Sequence, residues 1–148
     1  MKNLQILWAS SMLLLASCFS CTTPQSQEAP AALKDELPGK WRAVNIRIEV
    51  ADSTAAQVLE IDEKSLSEKP ILWEFEADNR YRSTSGAGGV QSRGIWNAFG
   101  DTLMMIEPKA TYHYIVAFKG KEAIFRATLD WDGDGQENDA YEGRFVRE

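Results

Sequence analysis

Between residues 130 and 139 the chain reads Asp130-Trp131-Asp132-Gly133-Asp134-Gly135-Gln136-Glu137-Asn138-Asp139, its densest run of side chains able to hold an ion. Carboxylates at alternate positions of a turning segment can converge on one point, and the intervening glycines permit the tight bends that convergence needs. Such a set suits a hard cation, and calcium takes about six to eight oxygen ligands at about 2.3–2.6 Å. Asp130, Asp132 and Asp134 would supply carboxylates, the Gln136 carbonyl a further oxygen, and Asn138 or Asp139 another. Glu142 follows shortly after as the candidate for a bidentate ligand. Without a cation the same carboxylates repel one another unless the turn splays into water. Two readings of the segment therefore stand side by side, a calcium loop and a solvated acidic turn.

The D-x-D-x-D-G spacing resembles the calcium loops of EF-hands and dockerin-like modules. It departs from them where an EF-hand carries its bidentate glutamate, because Tyr141 stands there and Glu142 comes one residue late. Catalytic residues do not assemble elsewhere. The one histidine, His113, alternates with Tyr112 and Tyr114, as a surface or rim side chain of a strand would. No serine has the glycine-flanked setting of a nucleophile elbow. Glu74 and Glu76 alternate with Trp73 and Phe75 and so share the solvent face of one strand. The glycines of Ser85-Gly86-Ala87-Gly88-Gly89 lack the lysine and following helix of a phosphate loop. No catalytic residue is assigned, and the chain is not expected to be an enzyme.

Cys18 and Cys21 are the two cysteines. Their C-x-x-C spacing could serve redox or metal chemistry, yet no βαβ pattern follows and there is no second pair. The preceding residues account for Cys18 better. Lys2 is followed by an uncharged run from Leu4 to Leu15, and Leu15-Ala16-Ser17-Cys18 then gives small residues leading into a cysteine. The run is too short to cross a bilayer as a helix, which takes about 20 apolar residues. This layout resembles the signal and cleavage box of bacterial lipoproteins, which implies removal of residues 1–17 and lipidation of Cys18. Cleavage before Cys21 is the alternative, from the poorer box of Cys18, Phe19 and Ser20. Residues 18–32 are polar, contain Pro24 and Pro30, and read as a flexible tether to a domain over 33–148. With no acidic run after Cys18, the expected place is the cell envelope, anchored through lipid on the periplasmic face of the outer membrane.

A chain of 148 residues leaves room for one domain beyond such a tether. The formal charge of -6 becomes more negative once Lys2 is removed. That balance argues against nucleic acid, which asks for a basic stripe, and against electrostatic adhesion to anionic lipid. The folded part would hold no disulfide, so its stability must come from its core and any bound ion.

The segments that would position these groups are mostly strands. From Lys40 to Val50, Val44, Ile46, Ile48 and Val50 alternate with Ala43, Asn45, Arg47 and Glu49 at the period of a half-buried strand. Ser53 could cap a helix over Thr54 to Glu63 or slightly beyond, with Ala56, Leu59 and Leu66 facing inward. Further strands are expected over Ile71 to Glu76, Tyr81 to Ser85, Val90 to Asn97, Thr102 to Glu107, Thr111 to Lys119, Glu122 to Leu129, and Tyr141 to Arg147. Turn residues separate them, including Asp78-Asn79, Gly100-Asp101 and Lys119-Gly120-Lys121. Strands joined in this way become antiparallel spatial neighbours. The expected fold class is all-β, an eight-stranded up-and-down barrel with one short helix after the first strand. A two-sheet sandwich is the rival.

Gly39-x-Trp41 at the start of the first strand resembles the signature of lipocalins. The stretch Ile71-Leu72-Trp73-Glu74-Phe75, the turn at Asp78-Asn79, and Gly94-Ile95-Trp96 before Gly100-Asp101 are similar to lipocalin-like lipoprotein domains of Bacteroidetes-type bacteria. The resemblance implies that Trp41 plugs one barrel end beneath a basic residue of the last strand, either Arg144 or Arg147. Tyr141, Gly143, Phe145 and Arg147 share one face, which favours Arg147. The domain is shorter than a full lipocalin, so its interior would be shallow or filled, and Trp73, Phe75, Trp96, Phe118 and Phe125 are the candidates to line or fill it. The implied function is a membrane-tethered binding module for a small apolar ligand. The alternative is a calcium-stabilised scaffold with an envelope protein as partner.

Overall fold

The computed structural model describes residues 32–51, 57–86 and 88–148. The expected signal segment, Cys18, Cys21 and nearly all of the tether lie outside the described residues, as do Ser53 and Ala56. A four-residue helix, α1 (Leu33–Glu36), leads into β1 (Gly39–Val50), β2 (Gln57–Ile61), α2 (Glu63–Glu68), β3 (Ile71–Phe75), β4 (Arg80–Ser85) and β5 (Gly89–Phe99). Then come β6 (Thr102–Ile106), β7 (Thr111–Lys119), β8 (Glu122–Leu129) and β9 (Asp139–Arg147). From β3 onward each strand pairs antiparallel with the next, and β9 returns to β1 along the register from Trp41–Arg147 to Glu49–Ala140. β1 and β3–β9 thereby close an eight-stranded antiparallel barrel, with a short helix after its first strand. A sandwich of two sheets is ruled out by this closure.

One assignment is corrected. The stretch expected to be helical, Thr54 to Glu63, carries the strand β2 at Gln57–Ile61, and the helix begins only at Glu63. The reason lies in β1, which outruns its neighbour: β3 pairs only with Gly39–Arg42, and the far half of that edge would otherwise stand open. β2 covers it, in register from Ile46–Ile61 to Val50–Gln57. Asp62 then caps α2, its Oδ1 accepting from Ser65 N at 2.9 Å. Leu66 is buried as expected, whereas Leu59 is exposed.

β1 changes its inward face midway. Trp41 and Ala43 are buried, and so are Ile46, Ile48 and Val50, which have the opposite parity. A bulge reconciles the two sets: Ala43 opposes Phe145 and Asn45 opposes Arg144, leaving Val44 as the extra residue. The simple alternation read along this strand therefore holds only from Ile46 onward.

Inside, the rings form one connected cluster. Trp73 lies 4.5 Å from Phe145, 5.1 Å from Phe125 and 5.6 Å from Tyr114 between ring centroids, while Phe75 meets Trp96 at 6.0 Å. Gly94 lets β5 and β6 approach closely, because a Cβ there would collide with the Ile106 carbonyl and the Tyr81 ring.

The end of the barrel where β1 begins is held by a clasp. Trp41 is 1% exposed and donates Nε1–H to the Leu37 carbonyl at 2.8 Å. The Arg147 guanidinium stands 4.5 Å from the Trp41 ring centroid. It also donates to the Pro38 carbonyl at 2.9 Å and to that of Glu36. Gly39 has φ +138°, and a Cβ there would lie 2.8 Å from Arg147 Nη1, so the glycine of the Gly-x-Trp pattern makes room for the guanidinium. Arg144 instead faces outward to Glu122 at 3.3 Å. We expect Arg147→Ala to cost about 2 kcal/mol from a lost stack and two carbonyl contacts. Arg144→Ala should cost about 1 kcal/mol or less, as exposed pairs do. Chemical denaturation of both variants checks the difference.

Candidate functional site

The opposite end of the barrel opens on a cavity of about 950 Å³, in the upper part of the range of about 300–1,000 Å³ usual for small-molecule sites. Its floor is set by Trp73, Met105, Tyr114 and Tyr141, all buried, with Ser83 among them. Ile46, Ile61 and Ile71 form one wall. The β6–β7 connection supplies Glu107, Lys109 and Thr111, and the β8–β9 connection supplies Asp130, Trp131 and Glu137. Thus the hairpin turn at Pro108-Lys109-Ala110 and the acidic loop together make the rim.

Of the five aromatics nominated from sequence, only Trp73 meets this cavity. Phe75, Trp96 and Phe125 are fully buried core, and Phe118 packs on Trp41 at 5.7 Å beside the clasp. Parity turns them inward, but their positions along the strands place them toward the closed end, as Phe75 opposite Gly39 shows. The residues that do shape the mouth include Tyr112, Tyr114, Tyr141 and Glu107, which the sequence reading passed over. The signal was present in β7, where Tyr112, Tyr114, Val116 and Phe118 share a face. His113, on the other face of that strand, is exposed at the rim as expected.

Glu107 sits where β6 ends, its backbone N–H bonded to the Ala110 carbonyl at 2.8 Å. Its Oε1 accepts the Tyr81 hydroxyl. Burial raises the Tyr81 hydroxyl well above its ordinary range, with the bond to Glu107 adding to it. Burial likewise raises Tyr114 and Tyr141, so these phenols stay protonated and can donate into the cavity.

The acidic loop borders the same mouth. Carboxylate oxygens of Asp130, Asp132 and Asp139 lie within 4.8 Å of one another, a set that could hold a metal ion. Asp139 is the anchor of this group and is fully buried. It accepts Ala51 N–H at 2.8 Å on Oδ1, and Trp131 and Asp132 N–H at 2.7 and 3.3 Å on Oδ2. Asp130 accepts from Gly135 N–H at 3.0 Å and Asp132 from Asp134 N–H at 3.1 Å. The loop is thus folded as successive side-chain-to-backbone turns.

Four nominated ligands fall outside this group. Asp134 takes the Gln136 backbone and side-chain N–H groups at 2.7 and 3.1 Å, and the Gln136 carbonyl accepts the Asn138 N–H at 3.0 Å. Asn138 is exposed. Glu142 lies on β9 opposite Arg126 and pairs with it at 2.7 Å, because strand parity turns it to the outer face. Neither family models, curated proteins nor solved structures match the chain, so the site stands on its own geometry.

The Ala51 N–H, followed by those of Trp131 and Asp132, holds the Asp139 carboxyl below its ordinary value of 3.8 against the opposing effect of burial. A carboxyl depressed in the folded state stabilises above its unfolded pKa, and that contribution is lost as pH falls through the folded value. We expect the melting temperature to drop as pH is lowered from about 4. Asp139→Asn should melt several degrees lower at neutral pH and show a shallower acid loss. Thermal scans across pH test both.

Proposed function

We propose that this chain is a lipid-anchored, lipocalin-like binding module of the bacterial cell envelope, whose barrel mouth takes a small ligand with an apolar body. The cavity of about 950 Å³ above Trp73 and Met105 carries the reading. A closed barrel whose rings fill one end and whose other end opens on a lined cavity has the form of a container for a small molecule. Anchoring rests on the Leu15-Ala16-Ser17-Cys18 box and places the domain within a short tether of the outer membrane's periplasmic face. Titration with an uncharged apolar dye such as Nile red should give saturable binding. Met105→Trp, which fills the floor, should weaken it about ten-fold or more. Absence of saturable binding by the wild-type chain would overturn the reading.

Calcium is the ion proposed for Asp130, Asp132 and Asp139, because three hard carboxylate oxygens suit it, with carbonyls or water completing its shell. It would bind the folded state and so stabilise by mass action, by about 2.7 kcal/mol at a hundred times its Kd. Calcium should therefore raise the melting temperature, and Asp132→Ala should abolish the increment. No heat of binding at millimolar calcium would remove this part alone.

A second reading, a protein-binding scaffold, is favoured by one observation. Ile95, Phe99 and Ile115 are exposed on β5 and β7, the strands either side of β6, an apolar outer stripe. A stoichiometric protein partner recovered from cross-linked envelopes, lost on Ile115→Asp, would establish that role.

A further inference from the structure

Resting on the binding reading above, we infer that the mouth selects an amphiphile with a cationic amine head, and that Glu107 is the residue that receives it. The outer carboxylates of this barrel have guanidinium partners: Glu74 with Arg82, Glu76 with Arg80, Glu122 with Arg144, Glu142 with Arg126. Glu107 is different. It is half-buried at the cavity wall, and among the described residues no lysine or arginine pairs with it. Its one polar contact from a side chain is the neutral Tyr81 hydroxyl on Oε1, which orients the carboxylate without neutralising it. A part-buried carboxylate that no cationic side chain of the described residues pairs with is open to an incoming cation.

The surroundings agree. Apart from Asp130, assigned above to calcium, the cavity lining holds two carboxylates, Glu107 and Glu137, against one ammonium, Lys109. A carboxylate-headed amphiphile would enter a field of its own sign. Next to Glu107's turn stand the rings of Tyr112 and Tyr114, 6.5 Å apart and inclined at 41°, and ring faces attract organic cations. The charge of Glu107 reaches these rings, since it adds to burial in raising both phenols. Below them Trp73, Met105, Ile46 and Ile71 offer the apolar bed for a body. The head would thus rest at the β6–β7 rim while the tail points to the floor.

The test uses the full chain and three probes sharing one twelve-carbon tail: dodecylammonium, dodecanol and dodecanoate. Each is titrated below its micelle concentration by calorimetry and by displacement of Nile red. We expect the ammonium probe to bind about ten-fold tighter than the alcohol, and the carboxylate weakest, as one charge-assisted contact would give. Glu107→Gln keeps an acceptor for Tyr81 and should bring the ammonium probe down to the alcohol's affinity while leaving the alcohol unchanged. Lys109→Gln, at the rim, should sharpen the preference and serves as a second variant. Equal affinity for the three heads, tighter binding of dodecanoate, or an ammonium preference that survives Glu107→Gln would overturn this inference while leaving the binding reading intact. Failure of all three probes and of Nile red would overturn both.

Discussion

Arg147 lies across Trp41 at the point where the last strand meets the first, and the barrel depends on that meeting. Among the described strands β1 alone has three partners, β3 and β2 along one edge and β9 along the other. If the β1–β9 seam opened, two strand edges would be exposed and the shared interior would lose its wall. The guanidinium secures the seam in two ways. It stacks on a buried indole, and it donates to carbonyls of Glu36 and Pro38 that the chain leaves free as it turns from α1 into β1. Leu33 and Leu37 are buried beneath this turn, so the short helix also plugs the end.

Tight closure at one end lets the other stay open. The large rings Phe75, Trp96, Phe125 and Phe145 are fully buried and, with Trp73, pack against one another in the lower half. Above Trp73 the lining mixes apolar side chains with Ser83, Tyr112 and Tyr114, and the wall is completed by loops. Asp139 joins these loops to the barrel, tying Ala51 at the end of β1 to Trp131 and Asp132 of the β8–β9 connection. The shape of the mouth is thus coupled to the acidic segment, and an ion bound there would act on the rim as well as on stability.

Much of the fold was legible because local rules determine antiparallel meanders. The strands from β3 to β9 follow from alternation and turn residues, and β7 and β8 coincide with the expected Thr111 to Lys119 and Glu122 to Leu129. Parity favoured Arg147 over Arg144 without deciding between them, and the fold seats Arg147 on Trp41. Residues 57–61 were not, because Gln57-Val58-Leu59-Glu60-Ile61 has no strong period and becomes a strand only where β1 offers an unfilled edge. The cavity was half legible. Aromatic residues at strand spacing identify an interior without saying which end of it each occupies, so Trp73 was found while Glu107 and Tyr114 were missed.

By itself the sequence determined the all-β class, the antiparallel meander from β3 onward and the clustering of acidic side chains after β8, since each rests on spacing within a strand or a turn. For the clasp, the resemblance carried by Gly39-x-Trp41 implied a basic residue over Trp41 without deciding between Arg144 and Arg147. Tertiary structure decided what cannot be read from spacing. The bulge at Val44 reverses the inward face of β1 and lets Trp41 and Ile46 share one interior. Asp139, one of several equivalent carboxylates in the sequence, became the buried anchor because the end of β1 brings the Ala51 N–H to it. Glu107 became a lone carboxylate at the cavity wall because barrel closure sets it against Tyr81, twenty-six residues away, and beside no arginine. In each case the deciding contact lies between strands far apart in the chain, and only closure of the sheet determines which of them meet.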